Sequence, residues 1–192
     1  TSCLFSKSTV SPACNTTQIN GGHIRRITIA ESIGGRPISL HFLHLDTRVS
    51  IASRTALLHS FSQSGLFIAI GDWNLGDEYI KWPQGNYANM LTDLFHSRSA
   101  AVNRLGEMID LVTPPEQITQ AKTVAFPGHT FIQNGTTNYR WNDFFVSNAN
   151  LEYTLTHFDF GPSLISSPAF GKKANKRPSD HLPILLQIES HP

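Results

Sequence analysis

The sequence is short of charge. Asp, Glu, Lys and Arg make up 15% of its 192 residues and balance to a net +1, against about a quarter in ordinary soluble domains. A field that weak does not gather a polyanion from a distance, so phosphate binding has to come from a local patch. Cysteine is scarce as well. Cys3 and Cys14 are the only two, readable as free thiols or as one bridge, which excludes a disulfide-dense scaffold. No apolar run approaches the roughly 18 residues of a membrane-spanning helix, and no basic-then-apolar stretch reads as an export signal. The compartment stays open. Asn15-Thr16-Thr17 and Asn134-Gly135-Thr136 fit the glycosylation acceptor pattern, which arises by chance and matters only in a secreted chain. There is no internal repeat. What the chain does have is 40% hydrophobic residues, enough for one domain with a sizeable core and too little length to expect two.

Residues 1–22, rich in Ser, Thr, Asn and Gly, read as a strand end followed by a loop. Ile24 to Ala30 alternates apolar and polar, and Ile38 to Leu45 does so before its pattern shifts. With Gly34-Gly35-Arg36-Pro37 between them they predict a hairpin. From Ser50 to Gln63 the spacing becomes helical: Ile51, Leu57, Leu58 and Phe61 fall on one face, with Arg48 and Arg54 outside it. Ser64-Gly65 ends that helix. Leu66 to Ile70 is continuously apolar, as in a strand covered on both faces, and stops at Gly71-Asp72-Trp73-Asn74. The stretch from Tyr79 to Thr123 shows a short helix at Asn89 to Phe95 among Pro and Gly breaks. Thr130-Phe131, Trp141 to Ser147, Leu151 to Phe160 and Ile184 to Ile188 read as later strands. Strands with a covering helix favour an α/β or α+β sandwich.

Three polar clusters sit where apolar strands end. Asp72 and Asn74, two residues apart on an extended segment, would point the same way and address a water and a phosphate oxygen together. The same Gly-Asp-x-Asn string also makes an Asx turn readily. In Ser179-Asp180-His181-Leu182-Pro183, a carboxylate suited to Mg²⁺ stands beside an imidazole that can move protons near neutral pH. A capped loop with an exposed His is the plain alternative. His44 closes its strand, where a lone His is usually structural.

Taken in order, these segments resemble the endonuclease/exonuclease/phosphatase family: a strand ending in Gly-Asp-x-Asn, an Arg-containing strand ending in Val146-Ser147, then Ser-Asp-His-x-Pro before a last apolar strand. His44-Leu45, the helix with Arg54, Thr130-Phe131 before Arg140, and Phe5-Ser6-Lys7-Ser8 extend the likeness from about residue 3 to residue 189. The resemblance implies a single domain over residues 1–192, a DNase I-like two-layer β-sandwich flanked by helices and incomplete at its N-terminal side. It implies a metal-dependent phosphoesterase, a hydrolase of phosphodiesters with nucleic acid first among substrates. Asp72 would orient or deprotonate the attacking water, and Asn74 would bond a phosphate oxygen. His181 would be general base or phosphate contact, and His44 a second phosphate contact. Asp180 and Asp72 would hold Mg²⁺, with Mn²⁺ as an alternative. Arg140 would brace the sheet, and Lys172, Lys173, Lys176 and Arg177 would guide an anionic substrate or simply form a solvated loop. Trp73 and Trp82 are candidates to stack on bases, whereas Trp141 suits the core. No partner protein is indicated.

Two departures from the family pattern bear on activity. The aspartate that holds the family's catalytic histidine maps, counting back from Val146-Ser147, onto Asn142. A carboxamide there cannot stabilise an imidazolium by charge, so His181 is expected to be a weaker base. Asp143 would serve only if the strand slipped by one residue, which turns every side chain to the other face. The family's leading strands, with an Asn and a metal-binding Glu, also find no counterpart ahead of Phe5. The alternatives to a working nuclease are therefore an impaired or inactive fold, or a phosphatase- or sphingomyelinase-type enzyme acting on another phosphoester.

Overall fold

A computed structural model of the protein describes residues 14–19, 24–33, 35–76, 80–82, 87–112, 117–123, 129–133, 136–157, 181 and 184–189. In chain order the elements are β1 (Cys14–Ile19), β2 (Ile24–Ile33), β3 (Arg36–Leu45), α1 (Ile51–Gln63), β4 (Phe67–Asp72), β5 (Ile80–Trp82), α2 (Tyr87–Asp110), β6 (Gln120–Thr123), β7 (His129–Gln133), β8 (Thr136–Arg140), β9 (Asp143–Ser147), β10 (Glu152–His157) and β11 (Ile184–Glu189). The hairpin read from the sequence is β2–β3, antiparallel from Ile24↔Leu45 to Ile33↔Arg36, with Gly35 in the left-handed region at φ 75°. The first 22 residues also supply a strand of their own, β1, paired antiparallel to β2.

The central sheet has six strands in the order β1-β2-β3-β4-β9-β6. Its β3 and β4 run parallel, which requires a crossover, and α1 provides it. Ser50 caps α1 through its side-chain oxygen, which accepts the Ser53 N–H at 3.1 Å. The inner face of α1 is Arg54, Leu57, Leu58 and Phe61. Arg54, expected outside that face, is buried, while Ile51 at its start is exposed. The short helix expected at Asn89 to Phe95 is a 24-residue helix, because Ala101, Leu105 and Met108 continue an inward stripe at helical spacing well beyond it.

Both faces of the sheet are covered, which makes the domain an α+β sandwich flanked by helices. On one face, Leu43, Leu45, Phe67, Ala69, Phe144 and Val146 pack against residues of α1 and α2. On the other, Ile29, Ile38, Leu40, Ile68 and Phe145 meet Tyr153, Leu155, Leu186 and Ile188 of the antiparallel pair β10–β11. Double coverage is why β4 and β9 read as continuous apolar runs. A three-stranded sheet, β5-β8-β7, completes the described elements. Trp73 and Trp141 lie in the core, so stacking on bases does not suit Trp73; the side chain of Trp82 is outside the described residues, as are Cys3 and Phe5–Ser8. Among the described residues no helix is long and apolar enough to cross a membrane.

Candidate active site

The register of three neighbouring strands sets one row of side chains at one rim of the sheet. His44 on β3 pairs with Asp72 on β4, and Asp72 pairs with Asp143 at the start of β9. Side chains alternate along a strand. His44 shares the face of Leu40, Asp72 that of Ile68, and Asp143 that of Phe145, all of which pack toward β10–β11. His181, just before β11, enters from that same side. The β3–β4 approach that brings His44 beside Asp72 depends on Gly71, which pairs with Leu43 at φ 136°. A Cβ there would strike the Leu43 carbonyl oxygen.

Four side chains come together in that row. His181 Nδ1 lies 3.2 Å from both carboxylate oxygens of Asp143, and its Nε2 lies 3.4 Å from Asp72 Oδ2. His44 Nε2 is 3.8 Å from the same Asp72 oxygen. The two imidazoles reach solvent, with His44 38% and His181 21% exposed, over an Asp72 carboxyl that is 7% exposed. With Asp143 accepting at Nδ1, the His181 ring in its neutral form would present Nε2 as a proton acceptor. Burial pushes the Asp72 carboxyl up to about 7; the His181 charge, the Asn74 N–H and Arg140 pull it down, and Asp143 adds to the rise.

The aspartate beside His181 is therefore Asp143 and not Asn142. Asn142 precedes β9 and has the opposite parity. It is fully buried, its Oδ1 accepting the Gly76 N–H at 3.3 Å and its carbonyl accepting the Trp73 N–H at 2.8 Å. Its side chain holds the loop after Asp72 instead of the histidine. The group beside Nδ1 is thus a carboxyl, 3.2 Å away, and not the carboxamide expected there. Alternation would have shown the parity had one face of β9 been polar, but all five of its residues are buried.

Asn74 departs from the extended geometry expected of it. Strand β4 ends at Asp72, and Asn74 sits at φ 51° with its N–H donating to Asp72 Oδ1 at 2.8 Å, the Asx turn that the sequence also allowed. Its Nδ2 donates to the Leu45 carbonyl at 3.0 Å, which links the strand end of His44 to that of Asp72. Arg140 ends β8, in the three-stranded sheet. Asp180, Lys172, Lys173, Lys176 and Arg177 lie outside the described residues. Among the described residues no group of three or more His, Cys, Asp and Glu is arranged to hold a metal ion. Asp72 and Asp143 both turn their carboxylates to the histidines, so these side chains do not by themselves fit Mg²⁺, which takes near-octahedral oxygen donors.

No family model and no curated protein matches the chain. Among solved structures it is similar to an endonuclease/exonuclease/phosphatase family protein from Leptotrichia buccalis, with 16% identity and TM-score 0.45 over 86% of this chain and 54% of that one. It is also similar to the endonuclease domain of TRAS1, a telomere-specific non-LTR retrotransposon, with 12% identity and TM-score 0.48 over 92% and 69% of the two chains. A nitrophorin from Cimex, crystallised as a ferrous NO complex, has 14% identity and TM-score 0.48 over 94% and 64%. The chain thus spans about half the length of the Leptotrichia protein. At these identities and TM-scores the likeness decides nothing about this chain's chemistry, which is left to its side chains.

Proposed function

We propose that the protein is a phosphoesterase, a hydrolase of phosphodiester bonds with nucleic acid first among its substrates. The observation that supports this reading is convergence: His44, Asp72, Asp143 and His181, far apart in the chain, meet at one rim, where each lies within 3.8 Å of the next in the spatial order His44–Asp72–His181–Asp143. Held at Nδ1 by Asp143, His181 takes the proton of an attacking water at Nε2, while Asp72 orients that water. The water oxygen bonds phosphorus as the P–O ester bond breaks; the departing oxygen takes a proton from solvent, and His181 returns its own to solvent. His44, the more exposed ring, donates to a non-bridging phosphate oxygen, and Asn74 offers its second amide hydrogen to another. The reading includes Mg²⁺, or Mn²⁺, for which Asp72 would need Asp180, outside the described residues, as a second donor; when bound it would offset charge on the phosphate.

The purified protein should hydrolyse a chromogenic phosphodiester and nick plasmid DNA when Mg²⁺ or Mn²⁺ is added. Asp72→Asn and His181→Ala should each abolish the activity, and unchanged rates in both variants reject the assignment. Parallel assays on a chromogenic phosphomonoester separate a phosphatase from a diesterase. A second reading, a fold without turnover, is favoured by the incomplete donor set for a metal among the described residues. It expects no change in Tm with millimolar Mg²⁺; a clear rise counts against it.

A further inference from the structure

The inner face of α1 carries a cation where a core residue would be expected. Arg54 is 4% exposed in line with Leu57, Leu58 and Phe61. One of its nitrogens, Nη2, donates to the Asp46 carbonyl at 3.2 Å and to the Asn74 carbonyl at 3.4 Å. Its Nε is buried with no hydrogen-bond partner among the described residues. Two long bonds and an unsatisfied donor are poor compensation for taking a guanidinium out of water, and an aliphatic side chain of that size would fill the space at less cost.

What Arg54 touches explains its place. Asp46 follows the end of β3, two residues after His44, and Asn74 lies two residues after Asp72 at the end of β4. Both loops are thus fastened to one guanidinium, and the Asn74 side chain adds a bond to the Leu45 carbonyl. Asn74 is also held in a left-handed conformation that costs free energy unless its surroundings impose it. Burial lowers the affinity of Arg54 for its proton, and the charge of Asp72 raises it.

We propose that Arg54 is a positioning residue, which sets His44 and Asp72 side by side by clamping the backbone of the two loops that follow their strands. This rests on the reading of the rim as a phosphoesterase centre, and its test has one arm that needs no activity. Amide hydrogen exchange is compared among wild type, Arg54→Met, Arg54→Lys and the core control Leu57→Ala. Arg54→Met should speed exchange at Asn74 and Gly76 by about tenfold or more while Ile68 and Ile70 of β4 keep their protection, as local opening does. Arg54→Lys, which keeps the charge and loses the planar fork, should fall between. In the activity arm, Arg54→Met should lower kcat on the chromogenic phosphodiester by about tenfold or more with KM little changed, as misplacement of reacting groups does. Even acceleration of exchange through the whole protein, as in Leu57→Ala, or none at all, overturns the proposal. So does a rise in KM at constant kcat, which marks a cation acting on substrate. A wild type without activity refutes the phosphoesterase reading and leaves the exchange arm to decide the clamp.

Discussion

Strand β4 begins and ends in opposite ways. At Phe67 its N–H donates to Asn148 Oδ1 at 2.8 Å, its carbonyl accepts the Ser147 hydroxyl at 2.7 Å, and Asn148 Nδ2 donates to the Gly65 carbonyl at 2.9 Å. These groups are neutral and short-bonded. At Asp72, five residues on, two carboxylates and two imidazoles crowd a single row, and Asn74 is held at positive φ with its Oδ1 buried and unpartnered among the described residues. Strand, sheet and flanking cores are common to both ends, so the core does not cause the difference. Local conflict of this kind persists where surrounding structure over-determines it, and it gathers at functional sites. On the proposed reading, one end of β4 holds the sheet and the other does the chemistry.

The sharpest way to break the comparison is to remove the charge that faces His181. Asp143→Asn should keep the fold and lower kcat by roughly 10²–10⁴, the range for a general base and its orienting carboxylate. The double change Asp143→Asn with Asn142→Asp restores the carboxylate one residue early, on the wrong face of β9. It should stay inactive on the phosphodiester. Recovered activity in a protein with a cooperative melt would show that the row does not depend on parity.

A second set of variants reads the same contrast as stability against pH. Burial holds the Asp72 carboxyl at about 7 against an ordinary 3.8. Between those values the folded protein keeps a proton that the unfolded chain has released, so stability falls as pH rises through the window. His41, buried against Phe61 at a ring separation of 4.0 Å, runs the other way. Burial, helped by the charge of Arg26, lowers it from 6.5 to about 4. Below 6.5 the unfolded ring takes up a proton and the folded ring does not, so stability falls as pH drops toward 4. The two groups offset one another in the wild type. In EDTA, Asp72→Asn should gain stability over wild type from near nothing at pH 4 to on the order of 4 kcal/mol at pH 8. His41→Phe should lose the acid-side decline, about 2–3 kcal/mol. Denaturant titrations at four pH values decide it: parallel curves for Asp72→Asn and wild type mean that burial does not burden Asp72.

How much of this was legible beforehand follows from where residues alternate. The β2–β3 hairpin, the capped start of α1 at Ser50 and the buried run of β4 all carry local signals: a period of two, a Ser before a helical stripe, and an apolar stretch ending in Gly-Asp. So did His44, Asp72 and His181, each placed at a strand end by the motif that contains it. The parity of β9 is illegible in the sequence because a strand covered on both faces has no alternation to count, and the count back from Val146-Ser147 lands on Asn142 instead of Asp143. Arg54 is hidden for a related reason: its polarity argues for the outside, and only the ends of two other strands account for a cation on the inner face. The length of α2 was hidden by a polar composition whose sparse inward stripe becomes visible once β6 and α1 are there to pack against it.

The smallest expected effect tests the holding end. Asn148→Ala removes the acceptor of the N–H of Phe67, itself fully buried, and leaves the Gly65 carbonyl near the surface to find water. The amide is the costly loss, so stability should fall by about 1–3 kcal/mol, seen as a lower denaturation midpoint with an unchanged m-value. Asn148→Asp keeps the acceptor and loses only the donor, and should recover most of that. Neither should alter kcat at temperatures where the variants stay folded, since the row at Asp72 is five residues away and held by other groups. A loss of activity without a loss of stability in Asn148→Ala would mean that the two ends of β4 are coupled, and that the division of labour between them is not real.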